Sequence, residues 1–170
     1  MNTLIDAMLE LSRTSRLPVL VRLVDLGQLV SAIRAELEVD LLERQVRWKI
    51  DALPLVAGDQ DLLRQVMQNL LVNAVKYTGK RDEALIEVWA EERADEWTVF
   101  VRDNGAGFDP RFQEKLFGVF QRLHRADEFA GTGVGLATVR RIVHRHGGRV
   151  WAQGQVEAGA TFAFSLPKHL

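Results

Sequence analysis

The chain has 170 residues, of which 47% are apolar and 26% are charged, and this composition is sufficient for one sizeable buried core. Its 22 Lys and Arg residues nearly balance its 23 Asp and Glu residues, so charge gives no reason to expect nucleic acid or an anionic membrane as a partner. The absence of cysteine excludes disulfides, thiolate metal sites and a cysteine nucleophile, and a reducing cytoplasm fits this composition. No stretch approaches the roughly 20 apolar residues of a membrane span, and the first residues lack the basic head of a signal peptide.

Apolar periodicity and turn residues predict the elements in chain order. They are an amphipathic helix over 4–11 without a local partner, a helix over about 26–43, strands at 46–50 and 53–56, a helix from 60 until Gly79, strands at 85–91 and 97–103 that pair as a hairpin, a helix over 134–146, and strands at 149–152 and 161–166. Asp25 and Asp59 are the expected N-caps of the second and third helices. This order predicts an α+β fold, a two-layer α/β sandwich with a mixed sheet of about five strands and about three helices on one face.

The third predicted helix carries a polar stripe. Asn69, Asn73 and Lys76 lie at i, i+4 and i+7, so they share one face. The neighbouring stripe is apolar and is expected to face the core: Val66, Leu70 and Ala74. Amide oxygens and an ammonium group at the margin of the core suit a hard cation and a phosphate, although a plain polar helix edge would show the same spacing.

A carboxylate is predicted at the inner face of a strand end. Strand alternation places Asp103 on the same side as Val99 and Val101, toward the apolar layer, where a charge is costly unless a donor meets it. The exocyclic amine of a purine would be such a donor, and Gly105 and Gly107 would let the backbone approach a flat ligand closely. A tight Asp-Asn-Gly turn is the alternative interpretation.

A glycine-rich segment precedes the last predicted helix. Gly131-Thr132-Gly133-Val134-Gly135-Leu136 offers free backbone N–H groups and a helix N-terminus to phosphate, yet it is neither a dinucleotide fingerprint nor a GxxxxGK[ST] loop. Before it, Phe117, Phe120 and Arg122 lie in a long connection without periodicity. This composition predicts a lid with an arginine for anionic oxygens, or an ordinary loop held by apolar contacts.

Two histidines near the end of the last helix are weak metal candidates. His144 and His146 are two residues apart, so on a helix they face different directions. They are better interpreted as partners of the helix C-terminus.

Four segments in this order resemble the N box, first glycine box, F box and second glycine box of sensor histidine kinases. They are Asn69 to Thr78, Asp103 to Gly107, Leu116 to Arg122, and Gly131 to Leu136. The resemblance covers about residue 19 to the end, and the segment around Arg122 is similar to that of kinases attached to phytochrome, PAS or GAF sensors. It implies a Bergerat-type nucleotide fold at 19–170, with a lid over about 108–131 and the end of a second dimerisation helix at 1–18.

The resemblance also implies roles for the residues of these boxes. Asp103 would accept a hydrogen bond from the adenine amine of ATP beside Tyr77, Asn73 would hold Mg²⁺ with support from Asn69, and Lys76 would contact phosphate. The lid would cover ATP, with Arg122 and the glycines at the phosphate tail. The remaining binding residues implied are Gly105, Gly107, Phe117, Phe120, Gly131, Thr132, Gly133, Val134, Gly135 and Leu136. Thr161 is left out of the site because it alternates against Phe162 and Phe164.

An amide at position 69 favours phosphoryl transfer over hydrolysis. Related ATPases have a glutamate there as a general base for water, and Asn69 cannot accept a proton. In-line transfer to an imidazole is therefore implied, within a two-component system that includes a response regulator and a homodimer. The alternatives are a nucleotide-binding interaction module without kinase activity and a serine-directed kinase of the anti-sigma type.

The expected acceptor histidine is not recognisable in this chain. None of His124, His144, His146 or His169 has the His-Glu-Leu-Arg context of the family's first dimerisation helix. The phosphoacceptor domain is therefore expected as a separate or upstream segment, and autophosphorylation of this chain alone is expected to fail.

Overall fold

The computed structural model describes residues 18–117 and 135–169, together with Ile5, Met8 and Leu9 in an N-terminal helix. In chain order the elements are β1 (Arg22–Asp25), α1 (Leu26–Glu38), a 3-10 turn (Val39–Leu41), β2 (Gln45–Ile50), β3 (Leu55–Gly58), α2 (Gln60–Tyr77), β4 (Glu83–Glu92), β5 (Glu96–Asp103), a 3-10 helix (Pro110–Lys115), α3 (Gly135–Arg145), β6 (Val150–Gln155) and β7 (Gly159–Pro167).

Five strands form a mixed sheet in the order β2-β4-β5-β7-β6. β2 runs parallel to β4, whereas the other neighbouring pairs are antiparallel. The three helices α1, α2 and α3 cover one face, where apolar side chains of β4, β5 and β7 share one core with them. This arrangement confirms the predicted two-layer α+β sandwich.

Alternation along β5 shows how the sequence builds this core. Val99 and Val101 are at most 1% exposed on the helix side, whereas Arg102 is directed to the open side and pairs with Glu87 of β4. The β4–β5 hairpin is confirmed and is closed by a hydrogen bond from the Arg93 amide to the Glu96 carbonyl, at 2.8 Å. Because one face is apolar along its length, the strand has only one favourable orientation against the helices.

Near the start of the chain, one predicted boundary is wrong and one strand was missed. α1 ends at Glu38 rather than near residue 43, and the tighter 3-10 turn that follows still buries Leu41 at 8% exposure. The turn brings Arg44 to the end of α2, where its guanidinium donates to the Val75 carbonyl at 3.0 Å. β1 was not predicted. It pairs antiparallel with β3 as a separate two-stranded sheet, and four residues are too few to show a period.

The caps of both predicted helices are confirmed. The Asp25 carboxylate accepts from the Gln28 amide at 3.1 Å, and the Asp59 carboxylate accepts from the Leu62 amide at 3.1 Å. In the N-terminal helix, Ile5 and Leu9 are 55% and 63% exposed.

Candidate functional site

The polar stripe predicted on the third helix lies on α2. Asn69, Asn73 and Lys76 are half-buried there, as is Tyr77 at its last position. The adjacent apolar stripe is fully in the core, with exposures of at most 2%: Val66, Leu70 and Ala74. The amides and the ammonium group therefore line the edge of the helix layer, where they remain accessible to a polar ligand.

The first residue of α3 lies directly against this stripe. A Cβ atom at Gly135 would be 3.2 Å from the Asn69 Oδ1 atom. Leu136 beside it is partly buried against the core. Gly135 of the second glycine box thus meets Asn69 across the two helices, which brings together residues separated by more than sixty positions in the sequence.

Asp103 is a buried carboxylate at the end of β5. It is 5% exposed, and its Oδ1 atom accepts from the Gly105 amide at 2.8 Å. Burial raises the pKa of this carboxyl to about 6 from an ordinary 3.8, although the Gly105 and Ala160 amides and the Arg81 charge all act to lower it. The group is therefore ionised near neutral pH at a cost in stability, which is a common property of functional carboxylates.

The glycines after Asp103 are required by the packing of the chain itself. A Cβ atom at Gly105 would collide with the Tyr77 carbonyl oxygen, and one at Gly107, whose φ is +65°, would collide with the Gln155 carbonyl oxygen. The sequence alone suggests that these glycines admit a flat ligand. The structure supplies a separate reason, which is the close approach of neighbouring backbone on both sides of the loop.

Sequence reasoning missed two arginines that hold this region. Arg44 donates to the Val75 carbonyl at 3.0 Å and to the Thr78 hydroxyl at 3.1 Å, so it caps the end of α2. Arg81 donates to the carbonyls of Asn104 and Gly105, next to the buried carboxylate. Neither arginine belongs to a periodic pattern or a motif, so no signal in the sequence distinguishes it from a surface arginine.

Only part of the predicted lid lies within the described residues. Phe117 is 7% exposed and packs edge-to-face on Phe162 of β7, with ring centroids 6.3 Å apart. The other candidates of the lid and glycine loop lie outside the described residues, and their roles stay predictions: Phe120, Arg122, Gly131, Thr132, Gly133 and Val134.

A cavity of about 290 Å³ lies between the 3-10 helix Pro110–Lys115, α3 and β6. Its lining includes Phe117, Arg140, His144 and Trp151 but neither Asp103 nor the polar stripe of α2. This space is therefore separate from the predicted nucleotide residues, apart from Phe117. We place the candidate site by its chemistry, at the buried carboxylate and the amides of α2.

The two histidines at the end of α3 do face different directions. His144 is exposed, whereas His146 is fully buried. The Nδ1 atom of His146 donates to the Ile142 carbonyl at 2.8 Å, and its Nε2 atom accepts from the Asp59 amide at 3.0 Å. His146 therefore acts at the helix C-terminus, as expected, and also joins α3 to the N-cap of α2, which the sequence did not reveal. Within the described residues no group of three or more His, Cys, Asp or Glu side chains forms a metal cluster.

The polar groups at the site have the chemistry to bind a nucleotide together with a hard cation. Side-chain amide oxygens on α2 are suitable ligands for Mg²⁺, and the described residues around them provide no carboxylate cage, which is the usual situation where phosphates and waters complete the shell. Asp103 offers a buried acceptor to an amine. None of the described helices is long and apolar enough to cross a bilayer.

Comparison with known proteins identifies the family. Residues 58–170 match the family described as "Histidine kinase-, DNA gyrase B-, and HSP90-like ATPase". The chain is 36% identical over 167 residues to the phytochrome-like protein Cph1 of Synechocystis sp., a match that covers 98% of this chain and 22% of Cph1. It is 39% identical over 149 residues to the adaptive-response sensory kinase SasA of Synechococcus sp. (strain CC9902), covering 85% of this chain and 38% of SasA. The chain thus spans less than half the length of these relatives.

Solved structures show the same fold. The catalytic domain of the histidine kinase ThkA aligns with a TM-score of 0.73 at 24% identity, covering 88% of this chain and 96% of that domain. Full-length ShkA in complex with AMPPNP aligns with a TM-score of 0.80 at 26% identity, covering 97% of this chain and 35% of ShkA. The chain therefore belongs to the histidine kinase-, DNA gyrase B- and HSP90-like ATPase family and is a catalytic ATP-binding domain of the histidine kinase type.

Proposed function

We propose that this domain binds Mg-ATP and transfers the γ-phosphate to a histidine on a separate dimerisation and phosphoacceptor domain. The observation that carries the proposal is the ionisable carboxylate of Asp103, buried at 5% exposure at the end of β5. The Gly105 and Ala160 amides and the charge of Arg81 offset only part of the cost of burying this charge, so a further donor from a ligand would stabilise it. The exocyclic amine of adenine is such a donor, and Tyr77 at the end of α2 would pack beside the ring.

The polar stripe of α2 would serve the phosphate end of the nucleotide. Asn73 would hold Mg²⁺ with support from Asn69, and Lys76 and Arg122 would contact phosphate oxygens. Mg²⁺, when bound, would neutralise charge on the transferred phosphoryl group. Asn69 cannot act as a general base, so this side of the site would position the phosphates without activating water. Transfer to a neutral imidazole, which is itself a good nucleophile, fits this arrangement better than hydrolysis.

The partners of the complete signalling protein are also part of the proposal. ThkA has been solved in complex with the response regulator TrrA, and that fold aligns with this chain with a TM-score of 0.76. We propose an analogous response regulator, a homodimer assembled through a dimerisation domain whose second helix ends within residues 1–18, and action in the cytoplasm.

Calorimetric titration with AMPPNP tests nucleotide binding. We expect Mg²⁺-assisted binding by the unaltered chain and its loss in Asp103→Ala, while Asp95→Ala, an exposed acid in the β4–β5 turn, binds normally. Absence of binding by the unaltered chain would refute the proposal.

Transfer is tested separately with a phosphoacceptor domain added in trans. Acid-labile, base-stable phosphate on the added domain is expected for a histidine kinase, and none on this chain alone. Nucleotide binding without transfer to any cognate acceptor would favour the interaction module, and acid-stable phosphoserine on a partner would favour the anti-sigma type.

A further inference from the structure

Three segments of the chain meet next to the buried carboxylate of Asp103. The turn after α2, the loop 104–107 and the β6–β7 turn at 155–159 are joined by backbone hydrogen bonds. The Ala106 amide donates to the Tyr77 carbonyl at 2.9 Å, and the Glu157 amide donates to the Ala106 carbonyl at 2.7 Å. The loop that follows Asp103 is therefore clamped between two other turns.

The side chain of Arg81 lies at the centre of this junction. Its Nε atom donates to the Asn104 carbonyl at 2.8 Å, and its Nη2 atom donates to the carbonyls of Gly105 at 3.0 Å and Glu157 at 2.6 Å. The same Nη2 atom lies 3.5 Å from the Glu157 carboxylate. A planar guanidinium directs its donors in fixed directions, so one side chain sets the relative positions of two turns.

The loop has a second anchor on its other side. The Asn104 side chain accepts from the Leu85 amide at 2.8 Å and donates to the Glu83 carbonyl at 3.1 Å. Asn104 thus ties the loop to β4, and Arg81 ties it to the β6–β7 turn. Of these two anchoring side chains, Arg81 is the one that carries a charge.

The Gly105 residue connects Arg81 with the carboxylate. Its amide donates to Asp103 Oδ1 at 2.8 Å, while its carbonyl accepts from Arg81 at 3.0 Å. Any rotation of Gly105 that breaks the contact with Arg81 would also move the amide that orients the carboxylate. Since a Cβ atom at Gly105 would strike the Tyr77 carbonyl, little space exists for an alternative backbone path.

We propose that Arg81 is a positioning residue that holds the Asp103–Gly105 segment in the orientation that receives the exocyclic amine of an adenine ring. This inference rests on the proposed function. Arg81 is not expected to touch the nucleotide, because its guanidinium is directed to backbone carbonyls of the loop and the turn. It is one-third exposed, so water can also reach it from the side away from the loop.

The charge of Arg81 supports the same role. Burial raises the pKa of Asp103 to about 6, and Arg81 is among the groups that lower it. Loss of the guanidinium should therefore raise this pKa further and reduce the fraction of carboxylate that can accept from an amine at neutral pH.

The test uses two variants at position 81 and one matched control. Arg81→Met removes charge and donors, Arg81→Lys keeps the charge but not the planar fork, and Arg93→Met removes a 61% exposed arginine that pairs with a glutamate elsewhere. Folding of each variant is checked by its amide NMR spectrum. The Asp103 carboxyl is titrated by NMR in nucleotide-free protein, and AMPPNP and GMPPNP affinities are measured by calorimetry.

We expect Arg81→Met to raise the Asp103 pKa and to weaken AMPPNP binding by about tenfold or more, since charge-assisted hydrogen bonds are lost. Arg81→Lys should leave the pKa closer to that of the unaltered chain but still weaken AMPPNP binding, and both variants should discriminate less between adenine and guanine nucleotides. Arg93→Met should change none of these quantities.

A folded Arg81→Met or Arg81→Lys variant with unchanged adenine preference and an unchanged Asp103 titration would overturn the inference. The carboxyl titration needs no nucleotide, so it reports on Arg81 even if the unaltered chain binds none. Failure of the unaltered chain to bind AMPPNP would instead count against the proposed function.

Discussion

Asp103 illustrates at the scale of one residue how stability and function oppose each other in this domain. Its folded-state pKa of about 6 lies above the ordinary 3.8, because burial disfavours the charge. The carboxyl therefore binds more protons in the folded than in the unfolded chain between these pH values. Its stabilising contribution is complete below about pH 4 and is lost as the pH rises through 6, so near neutral pH the buried charge costs up to about 3 kcal/mol.

Asp103→Asn should consequently be more stable than the unaltered chain at pH 7.5, by about 1–2 kcal/mol, while its affinity for AMPPNP falls. The gain should become much smaller near pH 4, where the unaltered carboxyl is protonated in the folded state and partly so in the unfolded chain. Urea unfolding at both pH values measures the difference. Equal or lower stability of Asp103→Asn at pH 7.5, with no pH trend, would contradict this account.

Gly107 provides a second residue-scale prediction, with Gly147 as its control. Both have positive φ, +65° and +81°, but a Cβ atom at Gly107 would collide with the Gln155 carbonyl, whereas one at Gly147 would lie 3.4 Å from the Pro167 ring. Gly147→Ala should cost about 1 kcal/mol from backbone strain alone. Gly107→Ala should cost at least about 2 kcal/mol more, since the collision requires the loop to shift. Equal losses in chemical denaturation would show that the close approach at Gly107 has no energetic weight.

At the scale of elements, α3 contacts α2 at each of its own ends. Its first residue, Gly135, lies against Asn69 in the middle of α2, and His146, directly after its last residue, accepts from the amide of Asp59, the N-cap of α2. Because α2 carries the polar stripe and α3 begins at the second glycine box, the geometry of the proposed phosphate site depends on this pair of contacts. Burial holds the pKa of His146 below its ordinary 6.5, so the neutral ring is the folded form.

The contact between His146 and Asp59 should be sensitive to acid. Since the folded-state pKa is lowered, the unfolded chain binds more protons, and the stabilisation by neutral His146 is complete above about pH 6.5 and lost as the pH falls below it. His146→Gln should lower stability at pH 7.5 by about 1–3 kcal/mol through an unsatisfied buried amide, and by less at pH 5.5.

The control for this prediction is His144→Gln, on the exposed side of the same helix. It should change stability little at either pH. Protonation of Asp103 stabilises the fold as the pH falls through about 6, which opposes the effect of His146. This contribution is the same in the variants and in the unaltered chain, so it cancels when their stabilities are subtracted at each pH. If His146→Gln lost the same stability at pH 7.5 and 5.5, the pKa of His146 would be the same in the folded and unfolded chains, which would contradict this account.

Elements were predictable where their periodicity was long. The stripes of α2 extend over several turns, and the alternation of β4 and β5 continues for most of a hairpin, so each shows its buried face directly in the sequence. β1 has only four residues and its pairing with β3 depends on chain reversal around α1, which leaves no periodic trace.

At the scale of the whole molecule, nucleotide binding should stabilise the fold through linkage. At one hundred times its dissociation constant, AMPPNP with Mg²⁺ should raise the unfolding free energy by about 2.7 kcal/mol. For a domain of this size the melting temperature should rise by about 5–10 °C.

Differential scanning fluorimetry with excess Mg²⁺, with EDTA and on Asp103→Ala checks this prediction. The increase should be largest with Mg²⁺, smaller with EDTA and absent in the variant. An equal increase in all three samples would indicate nucleotide binding elsewhere, for example near Arg140 and His144 of the cavity beside β6.

The sequence by itself determined the fold class, the helix caps, the polar stripe of α2 and the burial of Asp103. Each follows from local periodicity or from one side chain bonding to its own helix end, so neighbours in the sequence carry the information. Only the tertiary structure decided that Gly135 meets Asn69, that His146 joins Asp59, and that Arg81 holds the loop beyond Asp103. These contacts join residues far apart in the chain, and no local sequence pattern around Gly135, His146 or Arg81 identifies the partner of any of them.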